Sequence, residues 1–508
     1  MKNNAIERLI ELKRNGEFRR MGKLFNTSQS TYLYDTGTGK AINLDKESNK
    51  LLKFFFDENV ECDEFEKIVE SIENIEEIGE FIESEHILCN PQVKSFMPLE
   101  KRVSEEKFKC EQLIIELTGN CNLACKYCIY NEYFEGNRNF NSSNIDFETA
   151  KKAIDYVYAH RDEERLAITF YGGEPLLNFK TMKRCIEYCK ENLKNANLSF
   201  SFTSNLTLMT EDIAEYLAQV PNLSILVSLD GPEEIHNMAR VYRNQKGSFK
   251  DTYEGLKILV KAINRYKNTK LSFNAVLMPP YTKERFEKIN NFYESLKFLP
   301  EDVEVRATYP SPGSVPETYF EDMHIKESGN NCEEVNWMTW AQEKGENDNF
   351  IGQKPNIYTG LLETALTRIH NRALYDYPMN FYYYNGCCLP GQRRLYVTTD
   401  GQYKVCERIG NAPSIGNVDM GIDVDAIKKY YLREYEEQSI PECSECWAIN
   451  LCHICYAECF DEQGINMEAK RKACEETRSR FVWWLSYYHE LLEKQPEKIE
   501  EISKIELV

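Results

Sequence analysis

Three cysteines, Cys121, Cys125 and Cys128, stand in the stretch Glu116-Leu-Thr-Gly-Asn-Cys-Asn-Leu-Ala-Cys-Lys-Tyr-Cys-Ile-Tyr130, separated by three and then two residues. Thiolates this close can each hold one iron of a cubane [4Fe–4S] cluster and leave the fourth iron open, whereas a plain electron-transfer cluster takes four cysteines. A three-cysteine zinc site or a disulfide remnant would use the same residues, but no histidine lies nearby to complete a zinc site. An open iron is a place where chemistry can happen.

A second cysteine-rich block runs from Cys387 and Cys388 through Cys406 to Cys443, Cys446, Cys452, Cys455, Cys459 and Cys474. Its paired short spacings would also suit a zinc ribbon. Cys62, Cys89, Cys110, Cys185, Cys189 and Cys332 read as ordinary thiols; Cys185 and Cys189 share a helix face, but two ligands do not make a site. The N-terminus carries no apolar stretch of the kind that marks a secreted chain. Eighteen cysteines in such a chain favour metal ligands over disulfides, and with them a reducing cytoplasm.

These side chains need elements to aim them. The apolar run Leu113-Ile114-Ile115 predicts a buried strand that delivers the three thiols at its C-terminal end, where α/β folds bind ligands. Further strands are expected over 166–171, 198–203, 223–229, 271–277 and 303–307. Amphipathic helices are expected over 148–160, 181–192, 210–219, 249–265 and 282–296. Strands alternating with helices imply an α/β fold with a mostly parallel sheet. Tyr171-Gly172-Gly173-Glu174-Pro175 follows the second strand, Thr203-Ser204-Asn205 ends the third, and Ser228-Leu-Asp230-Gly-Pro232 ends the fourth, followed by His236, Arg240 and Gly247-Ser-Phe249. The polar motifs therefore converge on one edge of the sheet.

With Tyr127 before its last cysteine, the cysteine loop resembles the signature of the radical S-adenosylmethionine (SAM) family. That resemblance implies a partial (β/α)6 barrel over 110–307 whose open iron binds the amino and carboxylate groups of SAM. An electron from the cluster would then cleave SAM to a 5′-deoxyadenosyl radical. Gly172-Gly173-Glu174-Pro175 resembles the family's GGEP turn, whose glycines let the backbone approach SAM while Glu174 and nearby carbonyls receive its ammonium group. The Ser228–Phe249 run is similar to that of SPASM-type members, which implies SAM contacts from Ser228 and Arg240, with Arg243 a rival for the arginine role. Tyr127, Pro175, Ser204, Asn205 and Asp230 complete the implied cofactor-contacting set. His236 reads as a helix-packing residue.

The later block resembles the SPASM domain, which binds two auxiliary [4Fe–4S] clusters, giving three clusters in all. Its Gx4C and Cx2Cx5C parts match without gaps, whereas Cys452, Cys455 and Cys459 depart from the family's final Cx3C. By the family's interleaved order, Cys443, Cys446, Cys452 and Cys474 would hold the distal auxiliary cluster. Cys388, Cys406 and Cys455 would hold the proximal one, its fourth ligand being Cys387, Cys459 or a substrate thiolate. Val397-Thr-Thr-Asp400-Gly401-Gln-Tyr403 reads as a hairpin turning at Asp400-Gly401. A helix over 478–492 should cover this region, with the last dozen residues charged and frayed.

Ahead of the barrel, residues 1–20 form a weak amphipathic helix, and Tyr32-Leu-Tyr34 and Ala41-Ile-Asn-Leu44 flank a Gly-rich turn. Two short helices follow, and His86-Ile-Leu-Cys89 reads as a closing strand. This pattern over 1–100 resembles the winged-helix leader-recognition element of enzymes that modify ribosomally made peptides, where the leader adds as a strand to a sheet edge. Residues 308–386 form a bridging region, in which Phe381-Tyr-Tyr-Tyr384 reads as packing near the metal region or as part of a peptide channel. The divisions are thus 1–100, 110–307, 308–386, 387–480 and 481–508.

A formal net charge of −20 disfavours nucleic-acid and membrane partners, and no run of about 18 apolar residues occurs to span a bilayer. Taken together, the resemblances imply a radical SAM oxidoreductase that matures a ribosomally made, cysteine-containing peptide. It would abstract a hydrogen from an acceptor residue and join a cysteine sulfur to that carbon as a thioether. Its partners would be a precursor peptide bound by its leader and an external reductant such as flavodoxin or ferredoxin. Rival readings on the same scaffold are an anaerobic sulfatase-maturating enzyme and a peptide maturase that forms carbon–carbon crosslinks or epimerises residues. The sulfatase-maturating family carries an Asp base after the Gx4C cysteine, where this chain has Glu407. A rival from another class is a non-catalytic iron–sulfur electron carrier.

Overall fold

A computed structural model describes residues 4–97, 108–132, 134, 137–161, 165–300, 302–311, 313–322, 337–347, 356–383 and 386–504. Cys332 and Tyr384 lie outside these.

The N-terminal unit begins with α1 (Asn4–Arg14), whose Leu9 and Leu12 fall on one face and are buried. It continues with an antiparallel sheet of β1 (Gly22–Asn26), β2 (Thr31–Asp35) and β3 (Ala41–Asn43). The hairpin expected from sequence is β2–β3; β1 was not anticipated. Three helices follow, α2 (Lys46–Phe56), α3 (Cys62–Glu70) and α4 (Ile75–Ser84). Period-two alternation gives the sheet two masters. Leu33 joins the unit's own core with Leu51, Phe55 and Phe65, while Phe25, Tyr32 and Tyr34 pack into the main core of the molecule. The strand expected over His86–Cys89 does not form. His86 and Leu88 take φ of 55° and 53°, a left-handed backbone that breaks an extended run. The Leu88 amide instead donates to the Asp35 carboxylate at 2.7 Å.

All six expected barrel strands are present in order: β4 (Gln112–Thr118), β5 (Arg165–Gly172), β6 (Asn197–Ser204), β7 (Leu223–Ser228), β8 (Thr269–Val276) and β9 (Glu304–Thr308). Each pairs in parallel with the next. The connecting helices are α5 (Phe147–Ala159), α6 (Phe179–Asn192), α7 (Glu211–Ala218), α8 (Glu233–Ala239), α9 (Phe249–Tyr266) and α10 (Lys283–Ser295). Asp146, Thr210 and Thr282 cap α5, α7 and α10 with their side chains. Six strands are not the whole sheet. β10 (Arg394–Val397) adds in parallel to the other side of β4, and β11 (Tyr403–Lys404) closes the Asp400-Gly401 hairpin, giving the order β11-β10-β4-β5-β6-β7-β8-β9. The cysteine-rich C-terminal part thus shares a sheet with the barrel, and their buried residues form one continuous core.

The bridging region contains α11 (Glu317–Asp322), α12 (Trp337–Asn347) and α13 (Thr359–His370). Tyr382 is buried and its carbonyl accepts from the Met97 amide at 2.7 Å, whereas Tyr383 is exposed. The C-terminal helix is longer than expected, Met467–Lys494, and its face carries Phe481, Trp484, Leu485 and Tyr488 into the core. Up to residue 504 the tail is not frayed as expected, and residues 505–508 lie outside the described residues. Pro496–Ile502 is a further helix whose Ile499 and Ile502 are buried, two apolar positions that the surrounding charge masked. Among the described residues, no helix is long and apolar enough to cross a membrane.

Candidate functional site

Buried β4 hands its chain to the cysteine loop at the C-terminal end of the sheet. The loop is held from beneath by the turn that follows β5. The Gly173 amide donates to the Thr118 carbonyl and the Glu174 amide to the Asn120 carbonyl, both at 2.9 Å. A Cβ on Gly172, which has φ of 123°, would meet the Thr118 oxygen at 2.3 Å, and one on Gly173 would meet the Asn120 oxygen at 1.9 Å. The two glycines are therefore required by the approach of the cysteine loop itself. Pro175 opens the short helix Pro175–Asn178, and Glu174 caps it through the Leu176 amide at 3.0 Å.

The Glu174 carboxylate is buried and also accepts from the Ser204 hydroxyl at 2.9 Å and the Asn205 amide at 2.8 Å. Burial raises its pKa; those three bonds and Arg240 oppose the rise. Asn205 reaches on to the Asn122 side chain at 3.0 Å and lies 4.0 Å from the Cys121 sulfur. The polar ends of β5 and β6 thus grip the loop around its first cysteine.

A second grip comes from the β7 end. Asp230 is buried, accepts from the Tyr127 hydroxyl at 2.6 Å and from the Val276 amide at 3.0 Å, and Arg240 donates to the same Tyr127 hydroxyl at 2.7 Å. Burial raises the Asp230 carboxyl, with Arg240 acting against it. Burial also works against the charge on Arg240, but Cys125, Tyr127 and Asp230 together keep the guanidinium above its ordinary value. His236 is fully buried, receives the Asp230 amide at 3.3 Å and meets the Ser248 hydroxyl at 3.0 Å, and burial holds it neutral. Its position is that of a packing residue. Arg243 is exposed and binds the loop from outside, through Asn120 Oδ1 at 2.7 Å and the Cys121 carbonyl at 3.1 Å. Ser228, the last residue of β7, is half-buried.

Burial raises the pKa of Cys121, Cys125 and Cys128 alike; Cys121 further feels Cys125 and Cys128, and Cys128 feels Cys125. Three sequestered sulfurs that oppose one another's ionisation suit a cationic group that deprotonates them outright, which iron does. Among the described residues no three His, Cys, Asp or Glu side chains are arranged around a single metal ion. A cubane makes a different demand, one sulfur for each iron.

The C-terminal cysteines fall into two groups. Cys452 feels Cys446, Cys443 and Cys474, and Cys474 feels Cys443 and Cys446, so these four converge around a small cavity of about 60 Å³. The Lys470 ammonium stands 3.5 Å from the Cys443 sulfur and suits an anionic donor set. In the other group Cys455 feels Cys388, and Cys406 feels Cys455. Cys387 and Cys459 adjoin it, their thiols donating to the Ile454 carbonyl at 3.6 Å and the Cys455 carbonyl at 3.3 Å.

Two phenols, Tyr130 buried and Tyr171 half-buried, join the N-terminal and C-terminal cysteine regions. Tyr171 lies in the fields of both Cys128 and Cys406, beside Glu407. The Tyr130 hydroxyl meets the Glu407 carbonyl at 3.5 Å, and Arg138 covers the Tyr130 ring at 4.3 Å while ion-paired to buried Glu116. Sequence reading missed this Glu116–Arg138 pair; a glutamate closing an otherwise apolar strand was the available signal. A large cavity of about 2210 Å³ opens between the β9 edge and the cysteine-rich part, lined in part by Phe134, Asn137, Arg408 and Cys459.

Residues 115–293 match the model of the Radical SAM superfamily. The chain is 28% identical over 293 residues to the radical SAM cyclopropyl synthase TigE of Paramaledivibacter caminithermalis, covering 53% of this chain and 59% of that protein. It is 31% identical over 196 residues to a cysteine-type anaerobic sulfatase-maturating enzyme of Clostridium novyi, covering 37% and 50%. The chain therefore spans about half the length of the curated relatives it matches. Among solved structures, anSMEcpe with bound AdoMet aligns with a TM-score of 0.53 at 18% identity, over 77% of this chain and 98% of that one, a likeness of fold.

Proposed function

The chain carries a radical SAM domain over residues 115–293, and from that premise we propose that it is a maturase of a ribosomally made peptide, forming thioethers from cysteine sulfur. The observation that carries the reading is the adjacency of the cysteine loop to the Cys406 region, with Tyr171 between them. The nearness of two sulfur-donor regions far apart in sequence supports a reading in which hydrogen abstraction and removal of the remaining electron belong to one site. TigE is by its name a radical SAM cyclopropyl synthase, and the Clostridium novyi relative by its name matures sulfatases.

In this reading Cys121, Cys125 and Cys128 hold the SAM-binding [4Fe–4S] cluster. Cys443, Cys446, Cys452 and Cys474 hold the distal auxiliary cluster, and Cys388, Cys406 and Cys455 the proximal one. When bound, these groups supply a 5′-deoxyadenosyl radical for hydrogen abstraction and an acceptor for the electron left when sulfur joins carbon. Glu174 and the carbonyls near it receive the ammonium group of SAM, and Arg240 its carboxylate or ribose. Gly172 and Gly173 keep the loop seated. Glu407 is the carboxylate next to Cys406, and its Oε2 is buried with no hydrogen-bond partner. It accepts the proton that the donor thiol must lose.

The N-terminal unit is read as the winged-helix leader-recognition element, and the cysteine-rich part as a SPASM domain. β1 and β3 are the two edges of the N-terminal sheet among the described residues, and β3 is read as the edge that receives the leader. The Leu44 amide donates to Thr31 and the Lys40 carbonyl accepts from Asp35, so the peptide groups of 40, 42 and 44 face β2. Those of Ala41 and Asn43 face outward, ready to pair with an added strand.

A second reading, formylglycine formation on a protein cysteine, is favoured by the match to the sulfatase-maturating enzyme. One experiment separates the outcomes. The reconstituted enzyme, SAM and dithionite are incubated with cysteine-containing peptides encoded beside its gene, and the products are weighed before and after thiol alkylation. A thioether loses two hydrogens and an alkylatable thiol; a carbon–carbon bond loses the hydrogens but keeps the thiol; formylglycine loses the sulfur. Absence of 5′-deoxyadenosine from the wild-type enzyme, or equal amounts from a Cys121, Cys125 and Cys128 triple alanine variant, would overturn the reading altogether.

A further inference from the structure

The cavity between the β9 edge and the cysteine-rich part is larger than the few hundred to a thousand cubic ångströms of a small-molecule pocket, and suits a length of peptide. Its walls are not uniform in charge. Arg368, from α13, and Arg480, from the C-terminal helix, both line it. They are close enough that Arg480, after burial, is the next largest influence lowering the pKa of Arg368. Arg368 has much exposed surface yet stands among protein atoms, because the surface it exposes faces the cavity.

Among the described residues neither guanidinium has an ion-pair partner. Glu458 is a carboxylate that acts on Arg368, and its Oε2 is already committed to the Cys455 amide at 3.0 Å. Arg480 donates instead to an uncharged acceptor, His453 Nε2, at 3.2 Å. The His453 ring is fixed between Trp484, stacked at 5.6 Å, and Phe481, edge-on at 5.2 Å. Arg480 is thereby oriented rather than left to sample solvent. Two like charges are held together, one of them by a rigid aromatic stack, in a protein whose net charge is −20. The arrangement is poised for an anion, and planar guanidinium forks match a carboxylate in two-point geometry.

We propose that Arg368 and Arg480 form a carboxylate-binding subsite that anchors an acidic group of the peptide substrate in the cavity. The group is an Asp or Glu side chain, or the peptide's own C-terminal carboxylate. This rests on the reading that the substrate is a peptide.

The test uses the iron-loaded full-length enzyme, immobilised without oxygen, and two pools of acetylated hexapeptides randomised around one fixed cysteine. One pool ends in an amide and the other in a free carboxylate. The wild-type enzyme should retain acidic members of the amidated pool roughly ten- to a hundredfold over their Asn or Gln counterparts, or else prefer the free-carboxylate pool by that factor. The first result assigns the subsite to a side chain and the second to the C-terminus. Arg368→Gln and Arg480→Gln should each reduce the preference, and Arg368→Lys should restore part of it, with iron content as the check on folding. Retention without regard to acidic groups overturns the subsite and leaves the peptide reading standing, and so does a preference unchanged in both Gln variants. Retention of neither pool above an albumin control overturns the subsite, whereas the peptide reading falls only if the peptides encoded beside the gene are left unmodified.

Discussion

The hydroxyl of Thr36 donates to the carbonyl of Trp447 at 2.8 Å, and the side chain of Asn450 donates to the carbonyl of Thr36 at 2.7 Å. Trp447 also packs edge-on against Tyr34, with ring centres 6.0 Å apart. Both partners lie on the loop between Cys446 and Cys452, so the β2–β3 turn of the N-terminal unit is seated on a segment flanked by two of the four converging cysteines. Removing iron with a chelator should therefore raise amide hydrogen exchange in residues 34–40. Thr36→Val should do the same in the loaded protein, at a cost of about 1 kcal/mol for the lost bond. Exchange in 34–40 that ignores iron would mean the seat forms without it.

The outward peptide group of Asn43 offers a narrower probe than deleting the N-terminal unit, whose loss would uncover Trp447 and His489. Asn43→Pro removes one N–H from the free edge of β3 and none from the β2 ladder. Leader affinity, followed by fluorescence anisotropy, should fall roughly tenfold while the melting temperature holds. Unchanged affinity would place the leader elsewhere.

Arg240 and Arg243 divide by burial. Arg240→Gln leaves Asp230 and Cys125 without their cation in a buried site, a loss of about 3–5 kcal/mol. SAM binding, measured by calorimetry on the iron-loaded protein, should fall by more than about a hundredfold. Arg243 is exposed, and Arg243→Gln should stay within about fivefold of wild type. The reverse order would make Arg243 the arginine that meets SAM.

Cys387 and Cys459 adjoin the proximal group with their thiols on backbone carbonyls. If Cys388, Cys406 and Cys455 are its only ligands, Cys387→Ala and Cys459→Ala should each leave the iron count unchanged, and adding a cysteine-containing peptide should change the cluster's electronic spectrum. Loss of about four irons in either variant would mark that residue as the fourth ligand and close the cluster to substrate sulfur.

The barrel was legible because its signals are local. Leu113-Ile114-Ile115 and the five later apolar runs each announce a strand through period and length, and Asp146, Thr210 and Thr282 cap helices within a few residues of where periodicity begins. The cysteine spacings were legible for the same reason. What could not be read is what depends on distant pairing. β1 is a strand because Phe25 and Tyr32 stack at 5.3 Å and pack on His489. His86–Cys89 fails as a strand because Asp35 claims the Leu88 amide. Arg368 and Arg480 belong to helices that meet only in the folded molecule, and no spacing in the chain connects them.

β4 carries the cysteine loop, and its two neighbours arrive at very different times. β5 follows closely in the chain, but β10, which pairs Arg394–Val397 with Gln112–Ile115, is made only after the rest of the barrel has left the ribosome. Until then one edge of the strand bearing the reactive loop stays unpaired, with Leu113, Ile114 and Ile115 beside it. A nascent chain in this state is vulnerable to association with its neighbours, and the same exposure should afflict any fragment ending near residue 308. Such fragments should aggregate when expressed alone, and a stall late in translation would be more harmful to this protein than an early one.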